Sequence, residues 1–184
     1  MRTLAAAILC LLVTLPAGAA TLAGVTLPDN AQVAGKDLVL NGMGLRKKFV
    51  VKVYVGGLYL PQKQRDPRNV LSIDQPRQMV MHFLYDVGKE QMCEAWNEGL
   101  EANTPNAAPD VAIAFSTLCG WMEDLPKGNR LVMTYLPGEG TRVEVNGKAK
   151  GTLPGKAVSD AILATWLGPE PGPGADFKKA VLGG

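Results

Sequence analysis

Few residues in this chain could do chemistry. His82 is its single histidine, so a metal site built from imidazoles is excluded, and Cys93 and Cys119 stand too far apart for zinc-ligand spacing. A Ser-His-Asp hydrolase would have to use His82, yet no Gly-x-Ser-x-Gly elbow is present. His82 lies in the run Gln78–Tyr85 at the same strand parity as Val80 and Leu84, and reads as a structural or pocket-lining residue. Gly42-Met43-Gly44 lacks the third glycine of a dinucleotide fingerprint and opens no helix, while Gly138-Glu139-Gly140 reads as a hairpin turn, so no cofactor is expected. Arg46 follows Gly42-Met43-Gly44 and leads into a β-branched stretch that contains Tyr54. A guanidinium can fork onto a carboxylate or hold a developing oxyanion, and a phenol can donate a hydrogen bond to a ligand oxygen.

The elements that must position these groups begin with strands. From Ala23 to Leu60 the pattern is extended, with Val25 and Leu27, then Leu38-Val39-Leu40, then Val50 to Val55. Lys48, Val50, Lys52 and Tyr54 share one parity, and the apolar Phe49, Val51, Val53 and Val55 share the other. Gly56-Gly57 marks either a bend at a pocket mouth or a strand crossing a packed helix. Residues 61–76 read as a connection with a short apolar insert at Val70-Leu71, and Gln78–Tyr85 as a central strand.

Asp86 sits where a helix N-cap belongs, and Met92, Cys93, Trp96, Gly99 and Leu100 then keep helical spacing. After a turn over 103–109, Val111, Ala114, Phe115, Leu118 and Met122 keep it again, giving a helical hairpin. Short strands are expected over 130–136, 141–145 and at Thr152-Leu153, with Asn146-Gly147 as a hairpin turn. A helix over Lys156–Leu167 stops at Gly168, and a short one near Phe177–Leu182 docks on the body. Strands on either side of a helical hairpin, without βαβ alternation, predict an α+β fold whose mostly antiparallel sheet is covered on one face. Trp96, Trp121 and Trp166 all fall in expected helices, as core or cleft wall rather than a stacking platform for bases.

The first residues read as a secretory signal: Arg2, an apolar run from Leu4 to Leu15, and the small-x-small site Ala17-Gly18-Ala19. Residues 1–19 are then a signal peptide cleaved after Ala19 or Ala20, and residues 20–184 a single exported domain, periplasmic or secreted. Cys10 falls inside the apolar run rather than at its end, which disfavours a lipid-bearing cysteine. The run is too short to span a bilayer, so no stable membrane insertion is expected. A formal charge of +2 offers no field for nucleic acid. Cys93 and Cys119, on or beside the apolar stripes of the two hairpin helices, are either a disulfide formed in an oxidising compartment or two small buried hydrophobes.

The block Gly42 to Leu60, the stretch His82-Phe83-Leu84-Tyr85-Asp86-Val87 leading to Trp96, Gly128-Asn129-Arg130-Leu131 through Gly147, and Ala161 to Gly168 together resemble a bacterial chalcone isomerase-like protein. The resemblance covers nearly the whole exported part. It implies an open-faced β-sandwich, a large antiparallel sheet backed by helices with a ligand cleft between them. It carries Arg46 to the family's ligand-anchoring arginine. Tyr54 stands where the isomerases have a threonine, and is similar to the tyrosine that fatty-acid-binding members use beside that arginine. In a straight strand Arg46 and Tyr54 would lie roughly 26 Å apart at about 3.3 Å per residue, so the chain must bend between them, with Gly42 and Gly44 supplying a turn before Arg46 and Lys47-Lys48 lying in a hairpin connection.

Three functions stand open, the first two implied by the resemblance. The first is binding of a fatty acid or similar small amphipathic acid by Arg46 and Tyr54. The second is an intramolecular lyase or isomerase acting on a chalcone-like enone, with the same two residues catalytic. The third is a non-catalytic envelope module whose cleft is filled by its own side chains.

Overall fold

The computed structural model describes residues 18–184; the signal-peptide reading and Cys10 fall almost wholly outside them. In chain order the strands are β1 (Ala19–Leu22), β2 (Val25–Pro28), β3 (Asn30–Val33), β4 (Lys36–Lys48), β5 (Val51–Leu60), β6 (Arg77–Phe83), β7 (Arg130–Leu136), β8 (Gly140–Val145) and β9 (Lys148–Leu153). Helix α1 (Pro67–Ser72) lies between β5 and β6, α2 (Lys89–Asn103) and α3 (Pro109–Trp121) between β6 and β7, and α4 (Lys156–Leu167) and α5 (Ala175–Val181) follow the last strand. Strands β3 to β9 form a seven-stranded antiparallel sheet in sequence order, the α+β open-faced architecture expected.

The period-2 alternation of the central strands divides the core by face. Tyr54, Leu58, Leu60, Met79, Met81, Phe83, Leu131 and Met133 point to one side and pack with Trp96, Phe115, Leu118, Ile162, Trp166 and Phe177 from the helices. Val55, Tyr59, Val80 and Leu136 point to the other, where the β1–β2 hairpin brings Val25 and Leu27 onto them. The second face is therefore partly covered, beyond the single covered face read from the sequence.

Several local expectations are corrected. Asp86 does not cap α2: the helix starts at Lys89, after an isolated bridge between Val87 and Leu125. Asp86 Oδ1 instead accepts from the Lys127 amide at 2.7 Å, while Asp124 Oδ1 reaches across to accept from the Lys89 amide at 3.0 Å. The connection over 61–76 contains α1, which starts at Pro67 behind an Asp66 cap and buries Val70 completely. Phe49 and Val50 are not strand residues at all. They form the hairpin tip between β4 and β5, each 93% exposed.

Glycines let α5 lie against the sheet. Gly42 and Gly44 sit inside β4, not in a turn before Arg46. A Cβ on Gly42 would stand 2.2 Å from the Ala180 carbonyl oxygen, and one on Gly44 or Gly56 would strike the Phe177 ring at 2.8 or 2.5 Å. Of the two readings of Gly56-Gly57, the packed helix is the one found: the β5–β6 register runs unbroken from Tyr54 opposite Phe83 to Tyr59 opposite Gln78. On the other face, a Cβ on Gly57 would stand 2.4 Å from Leu27 Cδ1.

Cys93 of α2 and Cys119 of α3 are joined as a disulfide, Sγ–Sγ 2.02 Å, and tie the helical hairpin across 26 residues. At the far end of the sheet the fully buried Arg77 binds Ser159 Oγ at 2.8 Å and the Val70 carbonyl at 2.9 Å, pairs with Asp160, and lies 4.9 Å from the Tyr135 ring centre. Lys156 joins the same network, donating to Asp160 at 2.6 Å and to the Leu71 carbonyl at 2.8 Å. One buried cation thus fixes α1 and the start of α4 to β6.

Two stability outcomes follow. Gly56→Ala is expected to cost about 1–3 kcal/mol by overpacking, measured by urea unfolding, and that cost should fall by roughly half in a Phe177→Leu background; an equal cost in both backgrounds would place the strain elsewhere. Replacing Cys93 and Cys119 together by serine should lower stability by about 2–4 kcal/mol, through the lost constraint on the denatured chain.

Candidate functional site

Arg46 and Tyr54 are directly opposite one another on β4 and β5. The bend that brings them together is the β4–β5 hairpin, whose tip is Phe49-Val50; Lys47 and Lys48 are still paired strand residues, opposite Lys52 and Val51. A register shift accompanies it. Lys47 faces Lys52 while Arg46 faces Tyr54, so Val53 is an extra residue in β5. Without this bulge Arg46 would stand opposite Val53, and Tyr54 would project from the other face of the sheet.

A second bulge makes Asn41 the extra residue of β4, between Leu40 opposite Tyr59 and Gly42 opposite Leu58. Its buried amide donates to the Val181 carbonyl at 2.8 Å and to the Gln64 carbonyl at 3.0 Å, and accepts from the Gln64 amide at 2.7 Å. This holds the end of α5 on β4. Phe177 of α5 then meets Tyr54 edge-on at 5.7 Å between ring centres, with Phe83 at the same distance. Tyr54 is clamped between two aromatic rings.

The pair stands where two hollows meet. One, of about 300 Å³, lies between the sheet and the α2 and α4 helices and is lined by Met81, Met92, Trp96, Thr165 and Trp166 as well as Arg46 and Tyr54. The other, of about 400 Å³, opens toward the hairpin tip past Val53, Phe83, Tyr85 and Val87. Arg46, Tyr54, Met92, Ala95 and Glu98 border both. The first hollow is mostly apolar, with Arg46, Glu98 and Glu170 as its charged groups, whereas the second mixes apolar walls with Lys48, Asp86, Gln91 and Glu94.

Within it Trp166 Nε1 donates to the Tyr54 hydroxyl at 3.1 Å, which leaves the phenol's own proton available. Burial raises the Tyr54 pKa from its ordinary 10.0 to about 12, against the opposing effects of the Trp166 hydrogen bond and the Arg46 charge. The phenol therefore stays neutral and a donor. Arg46, half-buried, forms no ion pair among the described residues. Trp96 adds an indole N–H that is buried without an acceptor; with Trp166 edge-on at 5.2 Å it closes the inner wall.

The geometry thus brings Arg46 and Tyr54 together and leaves His82 apart. His82 pairs in register with Val55 and Arg130 on the face away from the helices, and burial, helped by the Arg130 charge, holds its pKa below the ordinary value. Glu98 and the pairing of Trp166 with Tyr54 were not read as site features from sequence; Glu98 carries no signal there beyond its helical spacing from Glu94.

A large antiparallel sheet, a helical layer on one face and a cleft at a cross-strand arginine–tyrosine pair define an open-faced sandwich with a cleft between its layers. Over residues 19–183 the chain matches the family described as chalcone isomerase-like, and it belongs to that family. No curated protein matches it. Among solved structures it is similar to a fatty-acid binding protein of Arabidopsis thaliana, with a TM-score of 0.71 and 15% sequence identity over 90% of this chain and 96% of that one. At that identity the likeness is one of fold.

The Tyr54 burial has a measurable consequence. The folded state keeps this proton to higher pH than the unfolded state, so the contribution to stability is complete below pH 10 and is lost as pH rises toward 12. Tyr54→Phe removes a proton-linked contribution on the order of 3 kcal/mol. Urea midpoints measured from neutral to strongly alkaline pH should fall less steeply for the variant than for the wild type. Parallel curves would show that Tyr54 ionises as an ordinary phenol.

Proposed function

We propose that this protein is an exported binder of a fatty acid or similar small amphipathic acid, with the carboxylate held by Arg46 and Tyr54 and the chain lying along the apolar walls of the two hollows. The observation that carries the reading is the cross-strand pair itself. An arginine without a carboxylate partner and a neutral phenol with its proton available face one cleft, beside walls of Met81, Met92, Phe83 and Trp166. A guanidinium and a phenol can each give a carboxylate oxygen a charge-assisted hydrogen bond, and the apolar walls suit a hydrocarbon tail. The family and the fold shared with a fatty-acid binding protein support the same ligand class.

An open cavity beside Arg46 speaks against a cleft packed with its own side chains. An intramolecular lyase would use the same pair on an enone oxygen as an oxyanion is generated; the neutral Tyr54 donor suits that step too, which makes turnover an arm of the test. The Cys93–Cys119 bond supports an oxidising compartment and hence export.

The test is native mass spectrometry, with organic extraction, of protein purified from its own cells, beside Arg46→Ala. Wild type is expected to carry a fatty acid and to start at Ala20 or Thr21, and Arg46→Ala to fold but lose the ligand or bind it at least roughly ten-fold more weakly, the loss of a hydrogen bond to a charged group. An empty wild type that cyclises chalcones would overturn the binder reading in favour of the lyase.

A further inference from the structure

The β4–β5 hairpin borders the second hollow and carries its apolar tip out beyond it. Its tip places Phe49 and Val50 side by side, each 93% exposed, followed by Val51 at 37%, with Tyr85 at 56% on the rim of the same hollow. Lone exposed apolar residues need no explanation, but a contiguous cluster at the end of a projecting hairpin does. Phe49 is moreover held at φ +56°, the left-handed region in which an aromatic side chain is disfavoured and asparagine or glycine preferred. Directly behind the tip stand Lys47, Lys48 and Lys52, all exposed, and none forms an ion pair among the described residues.

We propose that this tip docks on an anionic phospholipid bilayer, seating Phe49 and Val50 below the headgroups with the three lysines at the phosphate level. Apolar and aromatic side chains ahead of a ring of cations match the layered chemistry of that surface: hydrocarbon inside, negative charge outside, and an interfacial zone that suits the amphipathic ring of Tyr85. The charge complementarity is local and sets the approach. Asp86, Glu94 and Glu98 line the opposite wall of the hollow, and this acidic wall is repelled by the same bilayer, so the hairpin leads. The occupant is a lipid surface and not a free anion, because a soluble phosphate would engage the lysines and leave Phe49 and Val50 in water. In this pose the hollow lined by Lys48, Phe49, Val51 and Tyr85 opens beside the headgroups.

Docking can be read separately from cleft occupancy. Purified protein is sedimented with phosphatidylcholine vesicles, with and without phosphatidylglycerol. The wild type should partition onto the phosphatidylglycerol vesicles only, and release as salt is raised. Phe49→Asn suits the backbone at that position and should fold at least as well as the wild type, yet lose roughly ten-fold or more in partition. Changing Lys47, Lys48 or Lys52 to Gln should cost roughly five-fold each. Arg46→Ala should still dock, so an empty cleft and a failed docking surface give different results. Absence of wild-type partition, or equal partition of Phe49→Asn, would overturn the proposal. So would a self-association, seen by analytical ultracentrifugation, that Phe49→Asn abolishes, since the tip would then be a contact between copies of this chain.

Discussion

The site depends on one extra residue. Across an antiparallel hairpin, directly opposed residues project from the same face, and simple counting back from the Phe49-Val50 tip opposes Arg46 to Val53 and Leu45 to Tyr54. The guanidinium and the phenol would then lie on opposite sides of the sheet, one toward the helices and one toward the β1–β2 hairpin. Val53 absorbs the mismatch. Left without a partner on β4, it still gives its carbonyl to the Leu84 amide at 2.8 Å on the other side, so the strand stays in the sheet while its side chains change phase. A bulge of this kind re-aims a side chain at the cost of one pairing, and here it creates a two-donor site from residues eight positions apart in the sequence.

Holding that geometry falls to packing at both ends of the cleft. On the sheet side, Phe177 fills the space left by Gly44 and Gly56 and presses its ring on Tyr54. Its helix is kept in place by Asn41, whose bulge turns a strand amide onto the Val181 carbonyl. On the helix side, α4 is fixed at its start by the Arg77, Asp160 and Lys156 network and delivers Trp166 to the Tyr54 hydroxyl near its end. Asp160 and Trp166 are roughly 9 Å apart along the helix at 1.5 Å per residue, so an anchor at one end sets the height of the donor at the other. A buried ion pair of this kind adds little net stability but fixes orientation when all its hydrogen bonds are made, and Arg77 makes them.

Much of this was legible in the sequence because it rests on periodicity. The strand and helix stretches, the antiparallel α+β plan and the union of Arg46 with Tyr54 through a bend follow from alternation, helical spacing and resemblance. What was hidden rests on single-residue phase and on contacts between distant segments. Period-2 counting runs a strand through Phe49 and Val50 and leaves the hairpin connection at Lys47-Lys48, two residues early, because two apolar residues at a turn look like strand residues. A bulge leaves no compositional mark, so the phase change at Val53 was invisible. Asp86 looked like a cap since an acidic residue just ahead of a helical pattern usually is one; the cap came instead from Asp124, which only the Val87–Leu125 bridge brings near. The glycines of β4 suggested a turn because no local rule foretells a helix arriving from the far end of the chain.

The balance of charge in the cleft bears on which ligand oxygen it suits. Burial keeps Tyr54 protonated to about pH 12, so at any physiological pH the phenol gives a hydrogen bond and adds no negative charge. Arg46 is then the cation that borders both hollows and Glu98 the carboxylate that does so, with Glu170 on the first hollow and Lys48, Asp86 and Glu94 on the second. A neutral carbonyl would gain a hydrogen bond from Tyr54 but little from the charge of Arg46 until an oxyanion formed. A ligand already anionic gains from both at once, and offsets the cost of holding an arginine half-buried without a partner. For the amphipathic acid proposed above, repulsion from Glu98 would favour a carboxylate close to β4 and β5 rather than to α2, with the tail toward Met92, Trp96 and Met81. The bulge at Val53 and the clamp on Tyr54 both act on that strand wall, so the rigid side of the cleft is the side on which an anionic headgroup is best held.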